Sequence, residues 1–273
     1  PCAVSARSTS GLSPSGITAG LLSGATLRAA SVLAGQCAIV PPMAGGLWQS
    51  WRALFTAVPA GSPLAPAAAS LPDGAMEAVP YVVFDLETTG LRPSVADDIV
   101  QIGAVRLEGG LETGSFNTLV NPGRPIPAVS TRYHGVTDAM VACAPPVAEA
   151  LAAFRDFAAG AVLVAHNAAF DLTALAGAAE RQGAPRLANP ALCSMMLARW
   201  LDPREPDVSL DGLCGRAGLV IEHRHHALGD ARATAVLWMS LLSRASARGV
   251  AGLPDLAFRS AMTERIVEGA RHF

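Results

Sequence analysis

From Tyr81 onward the chain alternates between short apolar runs and stretches whose apolar residues recur at helical spacing. Tyr81–Phe84 is an apolar run ending at Asp85, which predicts a buried strand. Ile99–Leu107 predicts a second strand and Phe116–Val120 a third, with turn signals at Thr88–Gly90 and Glu108–Gly114 between them. Three strands in close succession predict an antiparallel meander. Pro146–Phe157 then has helical spacing, with Val147, Leu151, Phe154 and Phe157 on or near one face. Ala161–Ala165 predicts another short strand. Helices are expected over Phe170–Arg181, Leu192–Leu201, Ser209–Ala217 with Ser209 as N-cap, and Gly229–Arg248. Strands first, then alternating helices and strands, predict an α/β fold: a mixed sheet, the meander plus parallel strands, with helices on its faces.

Ahead of Tyr81 this patterning is absent. Residues 1–55 form an Ala/Gly/Ser-rich segment expected to be poorly ordered, and 56–79, rich in Pro, Ala, Gly and Ser, read as a linker. A folded domain over 80–250 and a tail of 251–273 complete the expected organisation. Charge supports the division. Residues 1–72 hold three Arg and no acid, whereas all 22 acids and 17 Arg follow, so the two parts carry +3 and −5. The apolar stretch Ala29–Val40 is 12 residues long and is followed by Pro41 and Pro42. A spanning helix needs roughly 20 apolar residues, so no stable membrane association is expected. Trp48 and Trp51 in Leu47–Phe55 are expected to dock on the domain. The chain opens on Pro1 rather than Met, as a processed or partial chain would.

The 273 residues are 51% hydrophobic and 15% charged, which excludes a wholly disordered chain. The net charge of −2 excludes recruitment of nucleic acid by bulk charge. Five cysteines without a C-x-x-C pair exclude a disulfide scaffold and a thiolate zinc site. A reducing, cytoplasmic compartment is the expectation.

Candidate chemistry gathers at three places. Asp85 and Glu87 are two apart on a strand, so both carboxylates project from one side of the sheet. Like charges this close raise one another's pKa unless solvent or a hard divalent cation neutralises them. Thr88-Thr89-Gly90 follows as a tight turn, either turn chemistry or a loop facing a ligand oxygen. His166-Asn167-Ala168-Ala169-Phe170-Asp171 follows a strand and opens a helix. There Asp171 either answers the helix dipole or adds a third carboxylate, Asn167 can serve as an N-cap, and Phe170 is either core or a site edge. His225-His226-Ala227-Leu228-Gly229-Asp230 opens the last predicted helix, with His225 on the loop and Asp230 in the first turn. The histidines 223, 225 and 226 otherwise form a solvated loop, and no Cys or spaced His completes a zinc set. Four acids at strand or helix ends, with one His before the last, suit a pair of Mg²⁺-type ions acting on a phosphate.

In that order, D-x-E-T-T-G, H-N-x-x-F-D and H-x-A-x-x-D resemble the three motifs of the DEDD exonucleases of the His type. That family includes the epsilon proofreading subunit of bacterial DNA polymerase III. The resemblance extends over about residues 80–250. It takes in Ile99–Val105, Asn121-Pro122, Ile126-Pro127 and His134-Gly135-Val136-Thr137, but not residues 1–79. It implies a ribonuclease-H-like fold and metal-dependent 3′→5′ hydrolysis of DNA or RNA to nucleoside monophosphates. Two Mg²⁺ or Mn²⁺ ions would be held by Asp85, Glu87, Asp171 and Asp230, with His225 as general base. Thr88, Thr89, His134, Asn167 and Phe170 would line the terminal nucleotide's site. Implied partners are single-stranded or 3′-terminal nucleic acid and a DNA polymerase subunit. The alternatives are an RNA-trimming or short-oligonucleotide nuclease on the same site, or a non-catalytic binding module. Where many relatives carry Asp near the third helix this chain has Cys193 or Ser194, and Cys193 reads as a small buried residue. No short clamp-binding peptide is apparent.

Overall fold

The structure, a computed structural model, describes residues 71–72, 74–91 and 97–270. The expected segment 1–55, most of the linker, the apolar stretch Ala29–Val40 and both tryptophans of Leu47–Phe55 lie outside them.

Among the described residues, five strands form one sheet in the order β3-β2-β1-β4-β5. β1 (Tyr81–Thr88), β2 (Ile99–Glu108) and β3 (Leu111–Leu119) make the expected antiparallel meander. β4 (Val162–Ala165) runs parallel to β1, and β5 (Ala191–Cys193) parallel to β4. The helices are α1 (Ala128–His134), α2 (Asp138–Val141), α3 (Val147–Phe157), α4 (Ala168–Arg181), α5 (Ser194–Leu201), α6 (Leu210–Ala217), α7 (Ala227–Ala247) and α8 (Leu253–Ala270). This is the mixed α/β sheet, ribonuclease-H-like in its strand arrangement, that the pattern and the resemblance lead one to expect.

The sheet separates two cores, and β1 feeds both by alternation. Val82, Phe84 and Leu86 pack with Ala150, Leu151 and Phe154 of α3 and Ala174, Leu175 and Ala178 of α4. Tyr81 and Val83 point the other way, toward Trp238, Leu241 and Leu242 of α7 and Leu197 and Leu201 of α5. Tyr81 meets the Trp238 ring edge-on with centroids 5.6 Å apart, and its hydroxyl donates to the Met76 carbonyl at 2.7 Å. Such an aromatic pair contributes about 0.5–1.5 kcal/mol beyond area burial.

Several boundaries differ from expectation. β3 begins five residues early because the turn is only Gly109-Gly110, both at positive φ (57° and 79°), the backbone of a two-residue hairpin. Its first residues are exposed, so no apolar run marks them. Leu192 and Cys193 belong to β5, and the helix starts only at Ser194. Three buried residues at a parallel edge look the same as the start of a buried helix. Residues 251–273, expected as a tail, contain α8, whose Leu253 and Leu256 are fully buried against the α7 core. Leu71, Met76 and Val79, placed in the linker, also join that core. Ser209 caps α6 as expected, accepting from the Gly212 N–H at 3.1 Å. Among the described residues no helix is long and apolar enough to cross a membrane.

Candidate active site

Strand parity sets the first half of the site. Asp85 and Glu87 continue the face of Tyr81 and Val83, so they point toward α7 beyond the end of its apolar core. Asp230 stands in the first turn of α7, where the helix dipole favours a carboxylate. One oxygen each from Asp85, Glu87 and Asp230 lies within 4.8 Å of the others, and the latter two residues are buried. Asp171, 3% exposed, sits in the first turn of α4 just past β4, the strand parallel to β1. It is outside the mutual 4.8 Å group. Its charge is nevertheless felt by Asp85.

Crowding has the expected electrostatic result. Burial and then the charges of Asp171, Glu87 and Asp230 push Asp85 well above the usual carboxylate range, with Arg224 opposing. Burial, then Asp230, pushes Glu87 to about 7, again against Arg224. Asp171 is raised by burial and held back by the backbone N–H groups of Asp171 and Leu86. Burial raises Asp230, against Arg224 and His225. The Oδ1 of Asp230 is buried without a hydrogen-bond partner. A carboxylate-only donor set, self-repelling and with an orphaned oxygen, fits a hard divalent cation. No histidine belongs to the group.

The loop before α7 is held from β2. Gln101, buried in the otherwise apolar run Ile99–Val105 of that strand, has its amide nitrogen 3.0 Å from both Asn117 Oδ1 and His226 Nε2. Its Oε1 accepts from the Ala227 N–H at 3.4 Å. Beside it, a Cβ on Gly103 would stand 2.1 Å from the Leu228 nitrogen and 2.2 Å from the Ala227 carbonyl carbon. The absence of a side chain there lets the start of α7 touch the sheet. Gly229 does the same for the loop, since a Cβ would meet the Glu222 carbonyl at 2.1 Å. His223 and His225 take left-handed φ of 53° and 63°, costly for non-glycine residues. Asp230 helps hold that turn by accepting the His225 N–H at 3.2 Å. The His225 ring packs against Tyr133 of α1 at a tilt of 44°, centroids 4.1 Å apart. Its Nδ1 lies 3.1 Å from Arg224 Nη1.

The remaining expected residues divide. Asn167 is exposed at the start of α4 with φ 66° and no side-chain cap bond, so it is not the side-chain cap that its position suggests. Phe170 is half-buried beside it. Thr88 donates its hydroxyl to the Gly90 carbonyl at 2.6 Å. Thr89, expected to line the nucleotide site, is 1% exposed. Its hydroxyl accepts from the Asp98 N–H at 3.0 Å and Arg124 Nη2 at 2.7 Å, while its carbonyl accepts from Ser130 at 2.8 Å. These bonds brace the loop. His134 is buried, its Nδ1 accepting the Val136 N–H at 3.0 Å. Its proton is therefore on Nε2, which faces the Thr88 carbonyl without reaching hydrogen-bond geometry. Burial holds this ring below the usual histidine range. His166, which opens the second motif, is structural too: its nitrogens lie 2.9 Å from Ser194 Oγ and 3.0 Å from the Val208 carbonyl. Burial pushes it down to about 4.

Arg224, Gln101, Gly103 and Tyr133 are the site residues that pattern reasoning passes over. Gly103 and Gln101 leave a trace, a glycine and an amide inside an apolar strand. Arg224 leaves only its place beside His225, and Tyr133 none.

The sequence profile of the exonuclease family, of the RNase T type, matches residues 82–237. A DNA polymerase III subunit epsilon-like protein of Rhodobacter capsulatus is 48% identical over 185 residues, 66% of this chain and 26% of that protein. A PolC-type DNA polymerase III of Latilactobacillus sakei is 36% identical over 181 residues, 66% of this chain and 12% of that protein. The chain thus matches about a quarter or less of the length of these relatives. E. coli Exonuclease I, in complex with a dA16 oligonucleotide, shares the fold with a TM-score of 0.54 at 18% identity, covering 61% of this chain and 41% of that one. The profile spans all three acidic motifs and, but for Tyr81, the whole sheet, and on that match the chain belongs to the exonuclease family.

Proposed function

We propose that this chain is a metal-dependent 3′→5′ exonuclease that hydrolyses phosphodiester bonds of DNA to nucleoside monophosphates. The observation that carries the proposal is the convergence of Asp85, Glu87 and Asp230 within 4.8 Å, with Asp171 beside them. Acids on a strand and on the first turns of two helices far apart in sequence have no packing reason to meet, since their mutual repulsion costs stability. Asp85, Glu87 and Asp230 would hold one Mg²⁺ or Mn²⁺, and Asp85 with Asp171 a second. When bound, the ions would reverse the negative field, attract the phosphodiester and acidify water.

This chain's own groups do the rest. His225 accepts the proton of the attacking water on its imidazole, held in place by the Tyr133 ring and by its own N–H bond to Asp230. The new bond joins the water oxygen to the terminal phosphorus, and the bond to the 3′ oxygen of the preceding nucleotide breaks, that oxygen taking a proton from solvent to become the 3′ hydroxyl of the shortened strand. Asn167, exposed at the start of α4, and half-buried Phe170 would meet the terminal nucleotide. Single-stranded or 3′-terminal nucleic acid is the proposed substrate. Association with a DNA polymerase, in the cytoplasm, is proposed from the relatives named for DNA polymerase III. Incubating the purified protein with 5′-labelled single-stranded DNA or RNA, with Mg²⁺, Mn²⁺ or chelator, tests the reading. A ladder shortening from the 3′ end only with metal, and faster on DNA, supports it. Shortening in chelator, or none with either ion, refutes it. Faster RNA shortening refutes the DNA assignment.

A further inference from the structure

One cation already occupies part of the acidic site. Arg224 Nη1 is paired with Asp230 Oδ2 and lies 3.1 Å from His225 Nδ1. The other edge of the same guanidinium forks onto Asp211 of α6, Nε to Oδ1 at 2.9 Å and Nη2 to Oδ2 at 3.0 Å. The Asp211 side chain is 61% exposed and that of Asp230 only 4%. Arg224 therefore links an outer carboxylate in solvent to an inner one in the acidic group. A guanidinium only donates hydrogen bonds, so it covers the Oδ2 of Asp230 and the Nδ1 lone pair of His225 together. The first belongs to the same carboxylate whose Oδ1, buried without a partner, a divalent ion would take. The second is a lone pair that proton transfer would use, because a neutral ring accepting at Nδ1 carries its proton on Nε2. A guanidinium and a divalent cation also repel, so the two compete for that carboxylate.

We infer that Arg224 is the resident counter-cation of the metal-free site. Entry of a divalent ion displaces its Nη1 from Asp230 and uncovers His225, while the fork to Asp211 retains the side chain at the rim. Arg224 is thus a positioning residue: it keeps the acids together without metal and sets how tightly metal binds. The inference rests on the metal-dependent reading of the site. A guanidinium serving only as a structural clamp would stabilise the fold equally with and without metal, and its loss would leave metal affinity the same or lower.

The test is Mn²⁺ binding by calorimetry and by electron paramagnetic resonance, without nucleic acid, at one pH. The proteins are the unaltered chain, Arg224→Gln, Arg224→Met and Asp85→Asn. Losing a unit charge that competes for a buried oxygen should tighten Mn²⁺ binding about tenfold or more in both Arg224 variants. Their metal-free melting temperatures should fall, and saturating Mn²⁺ should restore most of the loss. Mg²⁺ titration should shift the His225 Nδ1 resonance in the unaltered chain, and Arg224→Gln should show part of that shift before metal is added. Unchanged or weaker Mn²⁺ binding in both variants, with Asp85-dependent binding in the unaltered chain, overturns the inference and leaves the nuclease reading standing. Absence of Asp85-dependent binding in every protein overturns both.

Discussion

Glu87 makes the cost of the acidic group measurable. In the metal-free protein its carboxyl is raised from 4.5 to about 7, by burial first and Asp230 second. The folded chain therefore retains a proton that the unfolded chain releases above about pH 4.5. Stability associated with Glu87 is complete below that pH and is lost as pH rises toward 7. A displacement of about 2.5 pH units corresponds to about 3 kcal/mol. Asp85, Asp171 and Asp230 are raised too and add to the slope in the same direction. Denaturant unfolding in chelator between pH 4.5 and 7.5 should show the unaltered chain losing stability relative to Glu87→Gln by about 3 kcal/mol. Saturating Mg²⁺ or Mn²⁺ should flatten or reverse that trend, because metal binds the ionised acids. Parallel pH profiles for the two proteins in chelator would show that Glu87 is not crowded, and the electrostatic account of the site would fail.

Other substitutions test other joints of the site. Gly103→Ala places a methyl group against the backbone at the start of α7. It should cost about 1–3 kcal/mol in unfolding experiments and weaken metal binding, since Asp230 moves with the helix. His225→Ala should leave Mn²⁺ affinity within a few-fold while slowing turnover about 10²–10⁴-fold; full turnover would remove the general-base role. Thr89→Val deletes the acceptor for the Asp98 N–H and Arg124. It should cost about 1–3 kcal/mol of stability with KM for oligonucleotides unchanged, whereas a raised KM with normal stability would return Thr89 to the substrate site.

Much of the site is written locally. Two-residue periodicity puts Asp85 and Glu87 on one face of β1, and helix starts place Asp171 and Asp230 in first turns, because these relations depend only on residues a few positions apart. The sheet's meander and most helices follow from the same periodicities. The resemblance of three spaced motifs adds the family. Tertiary structure alone decides what those residues meet. Whether Thr89 faces a nucleotide or a brace of Asp98 and Arg124 depends on contacts across the loop, not on its place in a turn. The exposed first half of β3 and three-residue β5 are strands because neighbouring strands pair with them, and no residue there announces it. That α7 can seat on β2 depends on one missing Cβ at Gly103. The pairing of Arg224 with both Asp230 and Asp211 exists only once α6 and α7 stand side by side. Periodicity sets the direction of a side chain, but closeness between charges distant in sequence is a property of the packed chain.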